Sequence, residues 1–184
     1  MALDAAVGTL AEAGVALKFG FVSAQDVAFG RVRLRLPDFD DLETAWLPVL
    51  HAKTHADKLW CLPDVGEQVA CLLDARGEGG VVLGALFGVR DAPPAGASAD
   101  THVVQFADGT RLEYDRGAHA LSVQCVGALH VTCSGAVTLA AASVSIDAPV
   151  AVTGASLTHN GVNVGSTHHH GGVRAGGDAT GGPG

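Results

Sequence analysis

From Leu121 to Leu157 the chain repeats a short pattern, with Leu121, Leu129, Val137, Val144, Val150 and Leu157 opening apolar runs six to eight residues apart. In most runs the next apolar residue stands two positions on, as in Leu121/Val123, Leu129/Val131, Val137/Leu139, Val144/Ile146 and Val150/Val152. A spacing of two puts both members of a pair on one face of an extended strand. Self-similarity at a short fixed period marks a stacked β-architecture whose repeats cover one another. Each repeat brings only two or three inward residues, none of them aromatic. At about 25 cal/mol per Å² of apolar surface buried, that is too thin a core for a single-chain coil. Three chains wound about one axis would each supply a wall, share the core and remove the open strand edges. The pattern therefore predicts an intertwined homotrimeric β-helix, or β-prism. Between Gly117 and Gly172 the one residue charged by formal count is Asp147. Outward positions carry Ser, Thr, Gln, His and Ala, the surface of a smooth rod rather than of a catalytic cleft.

Upstream the pattern changes. In Arg31-Val32-Arg33-Leu34-Arg35-Leu36 the arginines take one face and the aliphatics the other, which reads as a half-buried strand. Further apolar runs stand at Trp46 to Leu50, Val69 to Leu73 and Val81 to Phe87, separated by Asp, Gly and Pro turn signals. With a strand starting near Val15, these make about five strands in roughly 75 residues, the size of a small OB-type barrel. Leu3, Val7 and Leu10 have helical spacing before Gly14. Asp91 to Ser98 has linker composition, and Phe106-Ala107-Asp108-Gly109-Thr110 carries the Asp-Gly signal of a hairpin. The predicted organisation is all-β: an N-terminal arm or short helix over 1–14, an OB-fold barrel over 15–90, a linker over 91–100, a trimeric β-helix spike over 101–165 and a tip over 166–184.

Composition narrows the function. The 184 residues are 48% hydrophobic but only 5% aromatic, with 25 glycines, which suits slender β-structure. A formal net charge of −8 argues against general binding to nucleic acids or anionic membranes, both polyanions. No run approaches the roughly 20 apolar residues of a membrane span, and the first residues lack the blocks of a secretory signal, so synthesis and folding in a cytoplasm are expected. Cys61, Cys71, Cys125 and Cys133 show no C-x-x-C spacing and read as small buried hydrophobes.

The strongest chemical signal is Thr167-His168-His169-His170-Gly171-Gly172. On a strand His168 and His170 share a face while His169 points away. In a trimer, three such pairs would offer six imidazole nitrogens, an octahedral set. Zinc prefers four ligands, so six nitrogens point to iron or another octahedral transition metal. Such a set leaves no open position for substrate, so the ion would staple the tip rather than catalyse, and it would leave as pH falls through about 6. The stripe Arg31, Arg33 and Arg35 could line a nucleic-acid groove, but no aromatic stacking platform interleaves with it in the sequence. A solvated face, or one docking on an acidic partner, is the better reading. His51, His55, His102, His119, His130 and His159 read as surface histidines. No G-x-S-x-G, H-E-x-x-H or phosphate loop occurs, and no catalytic residue is predicted.

Trp60-Cys61-Leu62-Pro63-Asp64-Val65-Gly66-Glu67-Gln68-Val69, then Gly80-Val81-Val82-Leu83-Gly84-Ala85-Leu86, the repetitive segment, the histidine tip and the ending Thr180-Gly181-Gly182-Pro183 occur in that order. Together they resemble the baseplate assembly protein V family, the membrane-piercing central spikes of contractile-tailed phages and related injection machines. The resemblance implies an OB domain docked on a tail hub and a triple-stranded β-helix needle. It also implies an H-x-H pair from each chain, here His168 and His170, holding one iron ion per trimer. The implied setting is a virion tail baseplate built in a host bacterial cytoplasm. The implied role is non-enzymatic piercing of a bacterial outer membrane, with only transient membrane contact, no small-molecule substrate and no nucleic acid. Two other classes compete. A cupin-like H-x-H metalloenzyme would need a nearby acid, where Val173 and Arg174 stand. An OB-fold single-strand nucleic-acid binder would need the missing aromatic platform.

Overall fold

The computed structural model describes residues 14–76 and 78–168. The arm or helix expected over 1–14 lies, apart from Gly14, outside the described residues, and so does His170. Two compact units divide after His130.

The first unit is built around one long strand. β1 (Ala16–Asp26) pairs antiparallel through its second half with β2 (Arg31–Leu36) and through its first half with β5 (Gln68–Leu73). A register shift between Val22 and Ala24 bends β1 where its partner changes, the usual work of a bulge. Gly20 sits just before this bend because the strands close tightly there: a Cβ would stand 2.8 Å from both the Arg35 carbonyl oxygen and Leu36 Cδ2.

Two short strands, β3 (Leu42–Glu43) and β4 (Leu47–Pro48), pair with β2, and β6 (Gly80–Ala85) pairs with β5. Val49, one residue beyond β4, bridges Val82 of β6, and the Leu50 N–H donates to the Val82 carbonyl at 2.8 Å. This joins the two ends of the sheet, so β2, β1, β5, β6 and β4 form a closed ring. Closure removes the open edges, as an OB-type barrel requires.

Alternation decides what fills the ring. Val32, Leu34 and Leu36 of β2 are buried while Arg31, Arg33 and Arg35 face outward. Val69, Cys71 and Leu73 do the same on β5, joined by Val22, Leu47, Val49 and Val82, with Leu62 packed against them. The core holds no aromatic residue, and all its members lie between residues 22 and 82. Buried Thr44 is the polar exception and is satisfied: its hydroxyl accepts from the Leu34 N–H at 3.0 Å and donates to the Ala45 carbonyl at 2.8 Å.

Between β4 and β5 the chain runs without a strand from 49 to 67, pinned by hydrogen bonds from Gly66 to the Val22 carbonyl and from Val22 to the Glu67 carbonyl. After the barrel, β7 (Thr101–Gln105), β8 (Arg111–Asp115) and β9 (Ala120–Gln124) form an antiparallel meander. The predicted Asp108-Gly109 turn joins β7 to β8, with Gly109 at φ +92° and its N–H donating to the Phe106 carbonyl. β9 holds Leu121 and Val123, which the sequence pattern counted as the first repeat of the stacked segment; here they are the third strand of a hairpin sheet.

Among the described residues of the second unit one hairpin forms, β10 (Thr158–His159) and β11 (Val162–Asn163). Asn160 and Gly161 turn it at φ +49° and +79°, the left-handed pair that a two-residue turn of this kind needs. Among the described residues no helix is long and apolar enough to cross a membrane.

Candidate functional site

Four regions bear on function: the segment ending at His168, the apolar face of the β7–β9 sheet, the repeats that follow it in the chain, and the arginine face of the barrel.

His168 lies five residues beyond β11. Its Nδ1 is 2.8 Å from the Asn163 carbonyl oxygen, and its N–H donates to the Gly165 carbonyl at 3.0 Å. The Asn163 side chain braces the same loop, accepting from the Gly165 N–H at 2.9 Å and donating to Thr167 Oγ1 at 2.6 Å. A proton on Nδ1 donated to Asn163 sets the tautomer that puts the ring lone pair on Nε2, the arrangement metal-ligating histidines use. His168 therefore fits a ligand role, while its expected partner His170 is outside the described residues. The Asn160-Gly161 hairpin that leads into this loop was not read from the sequence, although Asn-Gly is a strong local hairpin signal.

The β7–β9 sheet is covered the wrong way round for a lone chain. Arg111, Glu113 and Asp115 of β8 are partly buried, with Arg111 paired to Glu113 and donating to the Ala95 carbonyl. The opposite face shows Val104, Leu112 and Val123 in one row across the strands, and His102, Tyr114 and Leu121 in the next, all exposed. Farther along, Leu129, Val131, Val137, Leu139, Val144, Ile146, Val150 and Val152 are each 60–76% exposed, and residues 125–157 form no strand. Large aliphatic residues exposed in such number are unusual on a solitary soluble chain.

The arginine stripe differs from the sequence reading in one respect. Aromatic rings do interleave with it: the Arg31 guanidinium lies 4.8 Å from the centre of Phe29, and that of Arg33 lies 5.0 Å from Trp46. Both rings come from outside β2, so spacing along the strand could not reveal them. Both charges are also taken, Arg31 by Asp26 at 2.6 Å and Arg33 by Glu43 at 3.0 Å. Glu43 accepts from Ser23 Oγ at 2.8 Å as well, and the Ser23 hydrogen bond, followed by Arg33, holds its carboxyl below the ordinary value. Rings and guanidinium groups already engaged with each other offer little to a single strand.

Two other expectations are corrected. His51 is not a plain surface histidine: its ring stacks on Trp60, with centroids 5.4 Å apart and planes 18° apart, and its Nε2 is buried without a hydrogen-bond partner. Trp60 closes over Gly30, where a Cβ would stand 3.3 Å from the indole, and this fold-back sets the pair. His55, His102, His119, His130 and His159 are exposed. Of the cysteines only Cys71 is buried; Cys61, Cys125 and Cys133 are exposed. Burial pushes the Cys71 thiol up to about 11.

A closed β-ring of this size with its core inside residues 22–82 is the frame of an OB-type domain. Residues 20–87 match the type VI secretion system/phage-baseplate injector OB domain, and this domain of the chain belongs to that family. It is 30% identical over 138 residues to the spike protein of Escherichia phage P2, an alignment covering 74% of this chain and 64% of that protein.

Proposed function

We propose that this chain is the central spike of a contractile-tail baseplate, and that it pierces a bacterial outer membrane when the tail contracts. Three copies would wind the segment over 101–165 into a β-prism, the OB barrel over 15–90 would dock on the tail hub, and the tip over 166–184 would form the point. The observation that carries this reading is uncovered apolar surface, on the β7–β9 sheet at Val104, Leu112 and Val123 and, taken by itself, along the aliphatic pairs ending at Val152. Copies of the same chain would cover it with matching rows, which is how a thin repeat acquires a core. Likeness to a phage spike protein supports the same reading.

His168 and His170 are the residues that would hold an iron ion, or another octahedral metal, at the point. Bound there, the ion would supply coordinate bonds linking three chains. Asn163 and Thr167 brace the loop, and the Asn163 carbonyl orients the His168 ring. No residue needs to bind substrate or move a proton, so the role is mechanical and not enzymatic.

Native mass spectrometry of the untagged full chain, purified without a metal column, tests both parts. The expected species is a trimer with one iron-mass adduct, and H168A/H170A should remain trimeric without the adduct. A metal-bearing monomer would overturn the spike reading, and a metal-free wild-type trimer would remove the histidines from it.

A further inference from the structure

Arg35 continues the stripe of Arg31 and Arg33 but has no carboxylate of its own. Glu43 stands opposite it in the β2–β3 register, yet the two Glu43 oxygens are engaged elsewhere, Oε1 by Ser23 and Oε2 by Arg33. Arg90, just after the barrel, is similarly placed. Its guanidinium lies 5.4 Å from the centre of the Phe21 ring, and no described carboxylate is within ion-pair distance of either arginine. Both line one open cleft of about 420 Å³, together with Phe21, Val22, Ser23 and Asp41.

We infer that this cleft is a docking pocket for an acidic segment of a protein partner, in which a carboxylate reaches Arg35 and Arg90 while a neighbouring apolar side chain lies along Phe21 and the exposed Val65, which lines the same cleft. Guanidinium groups match carboxylates as paired, planar donors, and arginine and aromatic residues are the usual anchors of protein interfaces. Charge complementarity selects the occupant. Two unpaired guanidinium groups call for an anion, but the lining Asp41 and the net charge of −8 disfavour a polyphosphate chain. A single carboxylate beside an apolar group satisfies both the charges and the floor. The partner's being a neighbouring baseplate protein rests on the function proposed above; its acidic character rests on the cleft alone.

The test uses the full chain and a set of fluorescent dodecapeptides, each with an Asp-Glu pair flanked by Leu or Phe, alongside copies carrying Asn-Gln instead. Saturable binding of acidic members is expected, weakened about tenfold or more by the Asn-Gln change and by R35Q/R90Q, and untouched by R76Q. Equal affinity for the neutral copies, or indifference to R35Q/R90Q, would overturn the inference. So would displacement by inorganic phosphate or an oligo-dT strand at concentrations below those of the peptide. Sedimentation of the same samples separates the two readings. A wild-type trimer that ignores the peptides fails the pocket alone, whereas a wild-type monomer that binds them fails the spike architecture and leaves the pocket standing.

Discussion

The barrel and the segment from Cys125 to Leu157 draw on the same apolar residues, valine and leucine above all, yet they end in opposite states. In the barrel, Val32, Leu34, Val69 and Val82 are fully buried by strands that come from 22 to 82 of the same chain. In the later segment Val137, Leu139, Val144 and Ile146 stay 60–76% exposed. The difference lies in what the neighbouring strand can supply. β1 is long enough to serve two partners, and the Val49–Val82 bridge shuts the ring, so one chain completes a core. A six-to-eight-residue repeat with one apolar pair per turn has no second wall. Burial is a property of the pairing, and the residue types alone do not decide it.

The sharpest way to break this comparison is to charge the second region. V137D/L139D should convert the proposed trimer wholly to monomer at micromolar concentration in sedimentation velocity, while the barrel's urea transition keeps its midpoint. Loss of the barrel transition would mean the two regions share one core. In the first region, Leu34→Ala should cost about 2–5 kcal/mol by urea unfolding, because it empties the centre of a closed core. A shift well below about 1 kcal/mol would show that the ring collapses around the gap.

The thiols offer a gentler probe. Cys61 should alkylate with iodoacetamide at pH 8, while Cys71 reacts only after unfolding, as peptide mass spectrometry would show. Burial raises the Cys71 thiol from 9.0 to about 11, so its contribution to stability is whole below pH 9 and is lost as pH rises from there towards 11. C71A should flatten that alkaline decline, and an unchanged decline would place its origin elsewhere. The smallest effect belongs to Glu43. Its carboxyl is held low by Ser23 and Arg33, so its contribution is present above the ordinary carboxyl range and lost as pH falls through the lowered value. The difference in melting temperature between wild type and E43Q should therefore be modest near pH 7, as for other exposed pairs, and vanish in acid. A difference that grows in acid would contradict the assignment.

Much of the barrel was legible because alternation is tied to burial: on β2 and β5 a slip of one residue would turn every aliphatic outward. The Asp108-Gly109 turn was legible because it depends on local backbone chemistry. β3 was not, since two residues carry no period, and barrel closure was not, since it rests on one bridge between residues 33 positions apart. At the arginine face, three identical residues at identical spacing have different fates. Arg31 finds Asp26 across a hairpin and Arg33 finds Glu43 on β3, which leaves Arg35 for the cleft with Arg90.

By itself, the sequence determined the all-β class, the outward arginines and inward aliphatics of β2, the near-absence of charge after Gly117 and the proximity of His168 to His170, because each follows from local composition or from the two-residue period of a strand. Only the tertiary structure decided which strands close the ring, which guanidinium groups are neutralised, that Trp60 covers His51 and that Asn163 holds the His168 ring. Each of these depends on atoms brought together from distant parts of the chain or by turns whose geometry the residue types permit but do not compel.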